Sequence, residues 1–233
     1  MLLLVLSNNY LQLFFGWEAV GLSSYLLINF WHTRNLANTG ALKAIIFNRV
    51  GDVFLLAAIA MIFVIFKTLN FSVVFAAVPQ VVNKEWLGIS SLELISFFLL
   101  LAAMAKSAQI LLHPWLPDAM EGPTPVSSLL HSATMVTTGI FLIMRSSIIF
   151  SFSPNVSYLV AIIGLVTALF SSFTGLLQYD IKRIIAFSTC SQLGFMMFAT
   201  GLGNYNFALG ILFRNNSVFW CRIYKSLCQS FWR

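Results

Sequence analysis

Long apolar runs, each close to twenty residues, alternate along the chain with short polar or proline-bearing stretches. A hydrocarbon core roughly 30 Å thick needs about 20 apolar residues of helix to cross it. Runs this long and uniform do not suit the alternating strands of a barrel. The pattern predicts membrane-spanning helices over about 10–31, 43–66, 92–112, 125–145, 156–177 and 184–202. Residues 2–6 read as the end of a further span. The expected fold class is all-α, a polytopic transmembrane helix bundle of about six spans.

One connection stands apart. Residues 113–125 read HPWLPDAMEGPTP, with prolines at 114, 117, 123 and 125 that forbid a continuous helix between the third and fourth spans. Thr124 followed by Pro125 predicts a fresh helix start, with a hydroxyl at the cap and proline at the first helical position. Irregular backbone beside a membrane persists only where protein or a water-filled cavity surrounds it, and such breaks mark transport pathways in many carriers.

Composition sharpens the class. Hydrophobic residues make up 59% and charged residues 9% of the chain, against roughly 25% charged in an ordinary soluble domain. With a mean hydropathy of +0.89, soluble, disordered and disulfide-scaffold readings fall away. The net charge of +6 comes from cations scattered between apolar runs, such as Arg34, Lys43, Lys67, Lys84, Arg145, Lys182 and Arg183. That distribution suits anchors at span ends, with no patch for nucleic acid and no sidedness strong enough to orient the chain. Cys190, Cys221 and Cys228 have no metal-like spacing, so no metal site or disulfide framework is expected. The opening MLLLVLSNN has neither a basic region nor a small-residue cleavage site, and no signal or transit peptide is read there.

Four ionisable residues interrupt the apolar runs: Glu18, Asp52, Lys106 and His131. A charge at the centre of a span costs about 2.5 to 3.5 kcal/mol even on insertion scales, so each needs a partner, a proton or a cavity. With the boundaries above, Lys106 and His131 lie about 9 Å from one membrane face, Asp52 about 14 Å and Glu18 about 20 Å. All four share the middle of the bilayer. A relay of protons requires titratable groups at related depths. Burial disfavours the charged form of a lysine in general and a nearby carboxylate restores it, so an ion pair that opens and closes loads and unloads a proton. Histidine exchanges protons near neutral pH. Ser107, Gln109, Ser127, Ser128, Ser132 and Thr134 could hold bridging water.

Plainer readings stand beside these. Asp52 follows Arg49 by three residues, so a local ion pair accounts for it as well as a functional role does. His131 could simply bridge two helices by a hydrogen bond. Glu18 and Lys106 resist such explanations, because neither can reach water easily from mid-helix. His32 and His113, at span ends, are expected at the interface, and Asp118 and Glu121 as solvated or capping residues.

The segments LFFGWEAVGLSSYLLINFW, NRVGDVFLL, AAMAKSAQILLHPWLPDAMEGPTPVSSLLHSATMVTTGIFLIMR and GLLQYDIKRIIAFSTCSQLGF resemble the antiporter-like subunit family of the membrane arm of respiratory NADH:ubiquinone oxidoreductase. The likeness runs from about Met1 to Asn206 and is most specific over 106–145. It implies that Glu18 and Lys106 form the charge pair of a proton channel, that His131 lies on its relay and that Asp52 tunes or connects the pair. Members of that family have further helices on both sides of this region, including a second, inverted half-channel. Residues 1–206 are thus expected to be a partial antiporter-like domain and 207–233 a divergent basic tail. In that tail Trp220, Ile223, Tyr224, Leu227 and Phe231 fall at helical spacing, as in an interfacial helix.

The resemblance implies a subunit of a proton-translocating NADH:quinone oxidoreductase, multi-pass in the mitochondrial inner membrane, with a bacterial plasma membrane as the alternative. No cofactor is expected on this chain. Its expected partners are the other membrane-arm subunits and the lipid bilayer, with NADH and ubiquinone bound only by partner subunits. Two other readings are a subunit of a multisubunit sodium/proton antiporter and a non-functional structural fragment. The antiporter cousins usually carry a lysine directly after the Met-Val of the fourth span, where this chain has Thr137.

Overall fold

The computed structural model of the chain describes residues 1–82, 85–86, 89–129 and 135–210. A short α1 (Leu2–Val5) leads into α2 (Tyr10–Ile28), which a 3-10 turn extends to Trp31. Then follow α3 (Asn35–Phe66), α4 (Phe71–Val81), a two-residue antiparallel pairing of β1 (Glu85–Trp86) with β2 (Ile89–Ser90), and α5 (Ser91–Lys106). The proline-rich stretch holds α6 (Trp115–Asp118) and α7 (Thr124–Leu129), followed by α8 (Met135–Arg145) and α9 (Ser147–Ser151). Two long helices, α10 (Pro154–Leu176) and α11 (Ile181–Gly201), close the described fold.

Among the described residues, α2 with its 3-10 extension, α3, α10 and α11 are long and apolar enough to cross a membrane as single helices. The span expected over 92–112 is shortened, and that over 125–145 lies partly outside the described residues. The third ends at Lys106, six residues early, and the fourth contributes α7 and α8. α3 starts eight residues before the expected Lys43, because Asn35, Asn38 and Thr39 carry no hydropathy signal yet continue the same helix. At about 1.5 Å per residue its 32 residues reach about 48 Å, more than a bilayer core requires. α4 was not expected. Its apolar positions Phe71, Val74, Val78 and Val81 are buried at helical spacing, and Pro79 near its end keeps it short.

Local chemistry sets several helix ends. Ser153 precedes α10, whose first residue is Pro154, the position where a missing N–H costs nothing. Lys67 ends α3 in the left-handed conformation, its N–H bonded to the Phe63 carbonyl at 2.9 Å.

Large apolar side chains such as Leu22, Leu26, Val53, Phe63, Leu169 and Phe173 face outward, while Ser24, Asn48, Asp52, Lys106, Gln109, Thr167 and Ser171 are buried. This reverses the usual soluble arrangement and suits a protein whose outer faces meet lipid or neighbouring subunits. α2, α3, α5 and α8 pack around the polar interior, with α10 and α11 paired on the far side of α5 and α8.

Candidate functional site

Lys106, the last residue of α5, lies in the core where α2, α3 and α5 meet. Two glycines allow this. A Cβ on Gly51 of α3 would collide with the Ala105 side chain and the Ala102 carbonyl, so α3 and α5 approach as closely as bare backbone permits. A Cβ on Gly21 of α2 would stand 2.8 Å from Lys106 Nζ, so the ammonium occupies the space that a larger residue would fill.

The next residue after Gly51 is Asp52, and its Oδ1 lies 3.4 Å from Lys106 Nζ, with the two side chains 6% and 1% exposed. The Trp17 indole donates Nε1–H to the same oxygen at 2.7 Å. Its ring also lies under the ammonium, 5.5 Å from Nζ to the ring centroid, a cation–π contact. One residue on, Glu18 pairs with Arg49 at 2.8 Å, at the edge of the cluster where Arg49 is 56% and Glu18 25% exposed. Glu18 also interacts electrostatically with Asp52 and Lys106. Two carboxylates and two cations thus form one cluster of zero net charge.

The pairing differs from the expected one. Asp52, not Glu18, is the close partner of Lys106, and Arg49 reaches Glu18 instead of closing a local pair with Asp52. Residues three apart on a helix differ by about 60° in direction. That angle turns Asp52 toward α5 and leaves Arg49 at the exposed rim.

Immediately after Lys106 the helix breaks. Ala108 and Leu111 adopt left-handed backbone, with φ of 49° and 78°, a strain of about 1 to 3 kcal/mol per residue for non-glycine positions. The freed carbonyls find partners inside the protein. Ser107 Oγ donates to the Ala103 carbonyl at 2.6 Å, Trp115 Nε1 to that of Ala105 at 3.0 Å, Gln109 Nε2 to that of Ser107 at 3.1 Å and the Cys190 thiol to that of Ala108 at 3.2 Å. Thr167 of α10 donates to Gln109 Oε1 at 2.7 Å. The broken backbone around Lys106 is therefore satisfied by side chains of the break itself, α6 and α11, with α10 bonded to Gln109.

The proline-rich segment is fastened on two sides. Lys43 of α3 pairs with Asp118 at 2.6 Å, and Lys182 of α11 donates to the carbonyls of Met120 and Gly122 at 3.4 Å each. The α7 helix takes its first backbone bonds from the Pro123 carbonyl, one residue before the expected cap.

With this geometry in view, the protein family described as NADH:quinone oxidoreductase/Mrp antiporter, TM matches residues 7–214. The chain belongs to this family. Similar relatives include the NADH-ubiquinone oxidoreductase chain 5 of Acanthamoeba castellanii, 55% identical over 220 residues, covering 92% of this chain and 33% of the relative. That of Dictyostelium discoideum is 53% identical over 210 residues, covering 88% and 31%. The chain spans about a third of the length of these relatives. Among solved structures, the Mrp complex from Dietzia sp. DQ12-45-1b superposes with a TM-score of 0.80 at 30% identity, over 94% of this chain and 24% of that one. An archaeal membrane-bound sulfane sulfur reductase shares the fold, with a TM-score of 0.74 at 20% identity over 92% of this chain and 45% of that one.

The antiporter-family fold thus gathers three of the four ionisable residues singled out in the sequence, Glu18, Asp52 and Lys106. His131 lies outside the described residues, as do Ser132, Thr134, Lys84, Cys221, Cys228 and the tail positions from 220 onward. Trp17 and Arg49 complete the cluster and were not expected as members. Their signal was adjacency, Trp17 beside Glu18 and Arg49 one turn from Asp52. Ser107 and Gln109, read as possible water holders, bond the broken backbone. Asp118, expected as a solvated or capping residue, is partly exposed and pairs with Lys43. His113 is partly exposed and meets the Phe170 ring edge-on. No cluster of metal-ligating side chains occurs among the described residues.

Proposed function

We infer that this chain forms part of a proton-translocating membrane-arm subunit of an NADH:quinone oxidoreductase, in which Glu18, Asp52, Lys106 and His131 relay protons. The observation that carries this reading is the buried Lys106–Asp52 pair at the break of α5. A buried ion pair is weak evidence for stability, because desolvation offsets most of its attraction, so its place in the core needs another reason. Closed, the pair holds a proton on Lys106. Opened, it leaves an unpaired ammonium in an apolar core, which drives that proton toward the next acceptor.

Trp17 keeps the Asp52 carboxylate in place, so opening is a movement of Lys106, which stands where α5 ends. Arg49, one turn from Asp52, is placed to compensate the carboxylate once the ammonium leaves. His131 enters as the next acceptor on the strength of the family resemblance. This chain itself carries no redox step in this reading. NADH and ubiquinone bind partner subunits of the membrane complex, and the location in this reading is the mitochondrial inner membrane, which the eukaryotic source of the relatives supports.

The sodium/proton antiporter reading draws on the likeness to the Mrp complex. The oxidoreductase reading is preferred because its relatives are 53% to 55% identical against 30%, and because Thr137 stands where antiporter subunits usually have lysine. The deciding experiment is Lys106→Met in the full-length subunit within the assembled complex, with NADH oxidation and membrane potential followed together in isolated membranes. Loss of pumping with coupled quinone reduction is expected, and unchanged pumping would sink the relay.

A further inference from the structure

Asn48 lies inside the 32-residue α3, 2% exposed, on the buried stripe that runs Ala37, Gly40, Ala41, Ala44, Asn48, Gly51, Asp52, Leu55. Neither its Nδ2 nor its Oδ1 has a hydrogen-bond partner among the described residues. Most other buried polar groups in that position, such as those of Asn9, Asn29, Thr68, Ser90 and Ser91, belong to helix ends and connections. Asn48 does not. Mid-helix, with every neighbour on its stripe small or apolar except Asp52, an amide with unmet donors and acceptor is less favourable than a leucine of similar volume.

A second buried group without a hydrogen bond is the ion-pair partner of Asp52. Lys106 Nζ has its ion pair with Asp52 and the Trp17 ring beneath it, but no hydrogen bond among the described residues. Asn48 is one turn, about 6 Å, from Asp52 along α3. In the other direction it is five residues, about 7.5 Å, from Lys43, whose partly exposed pair with Asp118 lies toward the N-terminal end of the same helix. Its packing neighbours α2, α5 and α6 bring small residues there, with Ala102 and Ala105 of α5 against Gly51 and the Asp118 backbone against Gly40. A buried water needs two to four polar partners, and the Asn48 amide supplies a donor and an acceptor one turn from the carboxylate that pairs with Lys106.

We propose that Asn48 holds an internal water that connects the Asp52–Lys106 pair to the face of the bundle marked by Lys43 and Asp118. Asn48 is then a positioning residue: it carries no proton itself and keeps a water oriented so that one can pass. The proposal rests on the relay reading above and names one of its entry or exit steps. It also explains why an amide, which accepts and donates but does not titrate, stands on an otherwise apolar stripe.

The test uses the complete complex in its membrane, with Asn48→Leu, Asn48→Ser and Lys106→Met in the full-length subunit. Electron cryo-microscopy at a resolution that shows waters should find density within hydrogen-bond distance of the Asn48 amide in the wild type and none in Asn48→Leu. Pumping per NADH oxidised should fall about tenfold in Asn48→Leu, the scale of one lost hydrogen-bonded position, and Asn48→Ser should restore most of it. An amide that is merely structural and unpartnered predicts the opposite, equal or greater stability of Asn48→Leu with pumping unchanged. If Asn48→Leu does not assemble, the wild-type density alone decides, and a dry amide overturns the proposal. If Lys106→Met abolishes pumping while Asn48→Leu leaves it intact, the water site falls and the relay stands. If Lys106→Met also pumps normally, the relay itself falls.

Discussion

The Trp17 indole and the Lys106 ammonium meet on one oxygen of Asp52, the indole at 2.7 Å and the ammonium at 3.4 Å. The shorter bond belongs to a neutral donor that does not exchange its proton near neutral pH. The carboxylate is thus anchored to α2 and the lysine is the partner free to leave.

Trp17→Phe keeps the ring beneath the ammonium and removes the donor. A hydrogen bond to a charged acceptor contributes about 1.5 to 3 kcal/mol, so pumping in membranes should fall about tenfold while the subunit still assembles. Full pumping in Trp17→Phe would show that Asp52 needs no such anchor.

Asp52→Asn should be more damaging than Glu18→Gln. The first leaves a lysine buried without its counter-charge, which costs about 3 to 5 kcal/mol, and subunit abundance in membranes should drop along with pumping. The second removes the partner of a largely exposed arginine, a loss of about 1 kcal/mol or less, so abundance should hold while pumping declines. Equal abundance of both variants would contradict the burial order.

Gly21→Ala and Gly51→Ala separate geometry from assembly. The first places a methyl group where the lysine ammonium lies, and pumping should fall with the subunit intact. The second forces apart two helices in backbone contact, an overpacking of about 1 to 3 kcal/mol or more, so abundance should fall first. Blue-native gels alongside pumping assays distinguish the two.

Trp115→Phe removes the donor that satisfies the Ala105 carbonyl one residue before the lysine. A buried carbonyl left bare costs about 1 to 3 kcal/mol. The thermal midpoint of the complex should fall, with a smaller loss on Thr167→Val, which strips a donor from Gln109 one step further along the break.

Hydropathy made the four continuous spans legible, because bilayer thickness fixes their length. It misplaced the end of α5, since residues 108–112 remain mostly apolar and the first proline comes only at 114. What stops the helix is a set of side chains remote in sequence, Trp115, Thr167 and Cys190, that make broken backbone tolerable. The same holds for the charges. Their insertion cost announced Glu18, Asp52 and Lys106, but which acid meets which base depends on how Gly51 seats α3 against α5, and spacing along one helix cannot report that.

The stretch after Lys106 is tied at one edge to α3 through Lys43 and at the other to α11 through Lys182. Each tie is a long side chain gripping a short rigid piece, so a tilt of either helix acts on that piece as a lever acts on a latch. A shift of α11 against α3 would therefore pull on the stretch at Asp118, Met120 and Gly122 from both edges.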